Sequence, residues 1–380
     1  MSQSFCKQFW NAVVSNYREK VITYIYIYIY IILYICIYFR SILAQVGNIG
    51  AMSSLPCAYV CLYFGNSEEL LIGLMVVGRA VKVQFPTTHD VLLMHTSDVP
   101  AKHLSILASY FDLVLVEDIL LPHLVTPKSR PQLQRLFAKL HMLRLVRFRK
   151  VLFVDGDVLI RAPLDEIFDV DTPAAVPVGY EGFLRFAHGQ HLSMDHFLCD
   201  SDAHELKVWM NAGIMLLAPC EETFKALLLA ARERSVHSHC PEEELLTWYF
   251  ARKSQWHALD VGWNLEVHES QRLNVLEQDI VAAKVFHYSC AWCKPWWITR
   301  GWAKYSDSLQ DWVAKLSSEW LQSQSWYADD RHDFAARSWS EWAEAYSKYM
   351  REDRFFLLEF KPSTPSHYKW VSTSFSLHIP

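Results

Sequence analysis

The sequence predicts an α/β domain built on a largely parallel sheet with helices on both faces. Two observations carry that expectation. From residue 58 onward, short apolar runs alternate with segments of helical periodicity, the pattern of strand–helix repeats packed in layers. One of those runs, Val151–Val154, leads directly into Asp155-Gly156-Asp157. Open sheets of this kind bind their ligands at the carboxyl ends of strands.

The elements follow in order. Ala58–Phe64 reads as an apolar strand ending at Gly65-Asn66, and Leu70, Leu71, Leu74 and Val77 then form a helical stripe. His89–Met94 and Leu113–Val116 are the next two strand candidates. Gln134–Arg147 reads as a helix with Leu136, Leu140, Leu143 and Val146 on one face, and Val151–Val154 as a short, fully apolar strand. After about residue 300 the character changes. Trp302, Trp312, Trp320, Trp326, Trp339 and Trp342 recur among charged and small residues, with helical periodicity between Asp307 and Tyr349. This predicts a helical C-terminal extension that packs aromatic faces on the core. A ligand platform is the alternative, because exposed Trp faces also stack on ligands.

The N-terminal part is of another kind. Val21–Phe39 is a run of 19 uncharged, apolar residues, long enough to span a bilayer as a helix. Within it Tyr and Ile alternate from Tyr24 to Tyr30, whereas membrane helices concentrate Tyr at their interfaces. Two-residue alternation reads as a strand or an aggregation hazard. Tyr-Ile repeats are also what a TATATA microsatellite encodes, which would make the segment untranslated leader and Met52 the natural start. The expected organisation is therefore 1–51, a Tyr/Ile-rich segment that is either artefact or anchor; 58–300, the α/β domain; and 301–380, the Trp-rich extension.

The 380-residue chain is 52% hydrophobic, 20% charged and 14% aromatic, a packed globular composition. Its net charge of −5, without long like-charge runs, argues against nucleic acid as a partner. Nine Cys match no small disulfide scaffold, and Cys290-x-x-Cys293 lacks the second pair that a structural zinc site needs. No Asn-x-Ser/Thr sequon occurs, so a cytoplasmic location is expected. If residues 21–39 are a genuine anchor, the alternative is a Golgi or ER type II single-pass protein.

Asp155 and Asp157, at i and i+2 of an extended chain, point to one side and can converge on one cation, while Gly156 lets a ligand approach the backbone. Phosphate oxygens and waters would complete the shell of a hard divalent ion. An EF-hand counted from Asp155 fails, because Leu159 and Ile160 stand where a ligand and Gly are required. A phosphatase using a strand followed by Asp-x-Asp wants Thr or Val where Leu159 stands, and its downstream acidic Gly-Asp motif is not evident.

At these motifs the chain resembles glycosyltransferase family 8, the family of glycogenins and galactinol synthases, over roughly Ala58 to Thr299. Gly73–Gly78 resembles its first helix, Phe137-Ala138-Lys139-Leu140 its phenylalanine-x-lysine-leucine block, and Val154–Asp157 its metal motif. Asn211-Ala212-Gly213 resembles the strand beneath the sugar, and His287-Tyr288 with Lys294-Pro295-Trp296 the closing segment. The resemblance implies a GT-A fold and a retaining hexosyltransferase that moves a sugar from a UDP-sugar to a hydroxyl acceptor. That acceptor would be a polyol, a glycan or a protein tyrosine, and a homodimer is among the expected assemblies. It implies Mn²⁺, with Mg²⁺ as the alternative, held by Asp155, Asp157 and His287; mixed nitrogen and oxygen donors suit Mn²⁺.

Donor binding is expected from Lys139, Asp155, Gly156, Asp157, Asn211, Gly213, His287 and Lys294. Lys139 and Lys294 would neutralise the diphosphate, Asn211 would meet sugar hydroxyls, and Gly213 would leave room for the ring. Asn211, Glu242 and Glu243 are the expected catalytic residues. Glu242-Glu243 stands where many relatives have Asp-Gln, and Cys290–Cys293 where a phosphate-loop glycine is usual. Those departures favour the rival reading, a catalytically silent homologue that binds a nucleotide-sugar.

Overall fold

The computed structural model describes residues 55–119, 121, 131–179, 182–197, 206–233, 240–267, 275–289, 294–295 and 338–346. The expected N-terminal run at 21–39, the Cys290 and Cys293 pair, and most of the Trp-rich extension lie outside them. Among the described residues no helix is long and apolar enough to cross a membrane.

The main sheet begins with four parallel strands in spatial order β3-β2-β1-β4: β1 (Cys57–Tyr63), β2 (Asp90–His95), β3 (Asp112–Leu115) and β4 (Lys150–Val154). The four predicted strands each lie within a residue of these bounds. Beyond β4 the sheet turns antiparallel, through β8 (Val208–Leu217), β6 (Ala174–Gly179) and β7 (Gly182–Phe183). The short β9 (His257–Ala258) runs parallel to β6. A second, three-stranded sheet joins β5 (Val158–Ile160), β11 (Val285–His287) and β10 (Leu265–Glu266).

Strand alternation splits the core into two layers. Tyr59, Cys61 and Tyr63 of β1 face one layer, with α1 (Glu68–Arg79), the second sheet and Trp339 and Trp342 of helix 338–346. Ala58, Val60 and Leu62 face the other, with the 3-10 segment Pro131–Arg144, α3 (Glu221–Glu233) and α4 (Pro241–Ala251). The shorter helices α2 (Ala101–Leu107) and α5 (Glu277–Ala282) connect these elements. Helix α1 starts as its sequence requires: the Ser67 side chain accepts a hydrogen bond from Leu70 N at 3.2 Å, and Glu68 and Glu69 occupy the first turn.

One predicted element differs. The segment expected to be an α-helix over Gln134–Arg147 winds as a 3-10 helix over Pro131–Arg144, and Val146 is 54% exposed. Residues 137–143 are all buried, Phe137, Leu140 and Leu143 at the three-residue spacing of one 3-10 face among them.

Candidate metal and sugar-donor site

Asp155-Gly156-Asp157 forms the turn between the two sheets. Asp155 N donates to Gly213 O at 2.8 Å, extending the β4–β8 ladder, and Tyr288 N donates to Asp157 O at 2.9 Å, extending β5–β11. The two carboxylates converge because each is pinned to a different sheet, not because they share an extended strand. Gly156 is buried, and a Cβ there would meet Leu70 Cδ1 at 2.6 Å. The room it leaves is filled by α1 instead of by a ligand.

His287, on β11, brings the third group. One ligand atom each from Asp155, Asp157 and His287 lie within 4.8 Å of one another, the only such cluster of potential ligands among the described residues. His287 Nε2 stands 3.4 Å from Asp157 Oδ1, and its Nδ1 is buried without a hydrogen-bond partner. An imidazole Nε2 beside two carboxylates is a mixed nitrogen and oxygen donor set that a divalent cation satisfies. Gly213 makes this placement possible: a Cβ would fall into the His287 ring, with Nδ1 at 2.6 Å. The space expected for a sugar ring is thus taken by the imidazole.

Two lysines flank the carboxylates. Lys139, 5% exposed, sits 3.2 Å from both oxygens of Asp155 and 3.2 Å from Glu242 Oε1. Burial alone would strip its proton, but Asp155 and Glu242 raise its pKa well above the ordinary value. Its ammonium is therefore engaged from beneath the metal pair, where it orients Asp155. Lys294 contacts Asp157 and donates to Tyr288 O at 2.6 Å. Against the upward push of burial, Lys294 and His287 hold the Asp157 carboxyl well below the usual carboxylate range. Burial moves Asp155 the other way, upward, with Asp157 adding to it and Lys139 opposing.

Behind this pair lies a polar layer on β8. Asn211 Nδ2 donates to Glu266 Oε1 at 2.8 Å, and its Oδ1 accepts from Gly213 N at 2.9 Å and Asn264 Nδ2 at 2.6 Å. Both acceptor positions of the Asn211 side chain and one of its amide hydrogens are thus used within the protein. Glu243, on the first turn of α4, accepts from Ala212 N at 2.9 Å. Burial, with the like charges of Glu266 and Glu242, pushes its carboxyl up to about 8 despite that bond. Glu242 is buried, one oxygen on Lys139 and the other without a partner. Glu266 and Asn264 escaped the sequence reading because they sit in a segment with no motif; only the fold carries them to Asn211.

The sequence pattern described as Glycosyl transferase family 8 matches residues 123–299, which hold all ten predicted site residues. Residues 123–299 thus carry the family 8 glycosyltransferase pattern, and glycogenin and galactinol synthase relatives support the same family. Protein R707 of Acanthamoeba polyphaga mimivirus is 26% identical over 248 residues, covering 63% of this chain and 82% of its own. Human glycogenin-1 is 27% identical over 198 residues, 51% of this chain and 47% of glycogenin-1. Galactinol synthase 1 of Arabidopsis thaliana is 25% identical over 262 residues, 63% and 71% respectively. The chain thus spans about half the length of glycogenin-1.

Among solved structures, the WbbM bifunctional glycosyltransferase covers 72% of this chain and 51% of its own at 15% identity and a TM-score of 0.45. Galactosyltransferase LgtC, in complex with donor and acceptor sugar analogues, covers 69% and 95% at 14% identity and 0.43. The central sheet is mostly parallel and flanked by helices, the arrangement expected of a GT-A fold.

Proposed function

We propose that this chain is a glycosyltransferase that moves a hexose from a UDP-sugar to a hydroxyl acceptor with retained anomeric configuration, and that Mn²⁺ is held by Asp155, Asp157 and His287. The supporting observation is the convergence of those three side chains from two sheets, with the His287 Nε2 3.4 Å from Asp157 Oδ1. A divalent ion bound there would supply charge neutralisation for a diphosphate leaving group.

The chain's own groups have separate tasks in this reading. Lys139, tied to Asp155 and Glu242, keeps the Asp155 carboxylate oriented. Lys294, at the open side of Asp157, is the ammonium placed to meet phosphate oxygens. Asn211 offers its remaining amide hydrogen to the sugar. Glu243, neutral at physiological pH, can donate a hydrogen bond as an amide would. The family 8 pattern sets aside the phosphatase reading. The silent-homologue reading is supported by Glu242, whose carboxylate is spent on Lys139 and not turned to an open cleft.

UDP release from a panel of UDP-sugars, with and without Mn²⁺, tests the proposal. Mn²⁺-dependent release with at least one donor is expected. UDP binding without release from any donor would establish the silent homologue instead. Intact mass after incubation with UDP-glucose reads whether a tyrosine of the chain itself is the acceptor.

A further inference from the structure

Helix 338–346 lies beyond the family match, yet it packs on the strand that carries His287. Trp342 and Ala343 are fully buried there. Tyr288, the residue after His287, is itself fully buried and donates its hydroxyl to Ser338 O at 2.7 Å. On the other flank of His287, the Arg161 guanidinium lies 4.2 Å over the Phe286 ring and donates to Ile280 O and Ala283 O, both at 2.8 Å. Glu341 grips that guanidinium, Nε to Oε2 at 2.8 Å and Nη2 to Oε1 at 3.4 Å. Both neighbours of His287 are therefore tied to one helix.

The same strand end meets the site directly. Tyr288 N donates to Asp157 O, and Tyr288 O accepts from Lys294 Nζ. β11 has only three residues, all three paired with β5 and two of them also with β10. The ladders fix the backbone of His287, while its two neighbours fix the surroundings of the ring, and groups behind a metal ligand commonly set its orientation.

We propose that helix 338–346 is a positioning element of the metal centre, with Glu341 acting through Arg161 and Ser338 through Tyr288 to fix His287 and Lys294. The inference rests on the metal reading above and extends it to residues outside the matched family segment. Plain packing is the competing account, and it would lower stability without moving metal affinity.

The test is a titration of the full chain with Mn²⁺ alone, read by electron paramagnetic resonance, with thermal melting measured in parallel. Trp342→Ala would remove a fully buried indole and endanger the fold, so the conservative pair Glu341→Gln and Tyr288→Phe carries the experiment. Tyr59→Phe, which loses a buried-side hydroxyl bond to Asp165, serves as the stability control. The double variant is expected to bind Mn²⁺ about 10-fold more weakly, while Tyr59→Phe lowers the melting temperature with unchanged affinity. Wild-type affinity in the double variant overturns the inference. Asp157→Ala should lose Mn²⁺ binding; if it does not, the metal reading falls, and the inference with it.

Discussion

Around Asn211-Ala212 gather three carboxyl groups, Glu242, Glu243 and Glu266, and the ammonium facing them among the described residues is Lys139. Lys139 already serves Asp155 and Glu242, so Glu243 is left to hold its proton. The consequence for stability has a definite sign. With its folded pKa raised from the ordinary carboxylate value to about 8, Glu243 releases a proton on unfolding anywhere between those limits. Rising pH therefore favours the unfolded chain across that window and stops doing so above it. Glu243→Gln removes the titration while keeping an acceptor for Ala212 N. Its melting temperature relative to wild type should climb from pH 5 to pH 8 and then level; a difference that does not change with pH would contradict the assignment. Glutamate in place of the more usual glutamine was visible in the sequence, but its protonation was not, because Glu266 is distant in the chain.

Strand β8 and the 155–157 turn show how elements make the site. Gly213 leaves space on β8, and the His287 ring of β11 fills it. Gly213→Ala should therefore push the imidazole away and weaken Mn²⁺ binding about tenfold or more, with a stability loss of about 1–3 kcal/mol from overpacking. Mn²⁺ affinity equal to wild type would show that His287 is not a ligand. The role of Gly213 was legible only as a motif position. Spacing along the chain singled out Asp155 and Asp157, which do lie together, but assigned their convergence to an extended strand. The turn between two sheets is a tertiary fact, since β5 is only three residues long and pairs with a strand more than a hundred positions away. The Pro131–Arg144 segment was likewise legible as helical: Leu140 and Leu143 are buried as expected and Leu136 is half-buried, while Val146 lies exposed beyond the end of the 3-10 helix.

At the scale of the whole molecule, the first four strands, α1 and the site order were readable because each apolar run is bounded by its own turn or cap. The antiparallel half of the sheet was not, since β6, β7 and β9 are short and paired across long sequence distances. Nor was the docking of helix 338–346, whose Trp residues announce packing but not the surface they pack on. What unites the two sheets is Asp155-Gly156-Asp157, and the account stands on that junction being a metal-dependent donor site. Calorimetric titration of UDP into wild type and Asp157→Ala, each with and without Mn²⁺, tests this most directly. Wild type should bind UDP far more tightly with Mn²⁺ present, and Asp157→Ala should show no such gain. Equal Mn²⁺ enhancement in the two proteins would contradict the account.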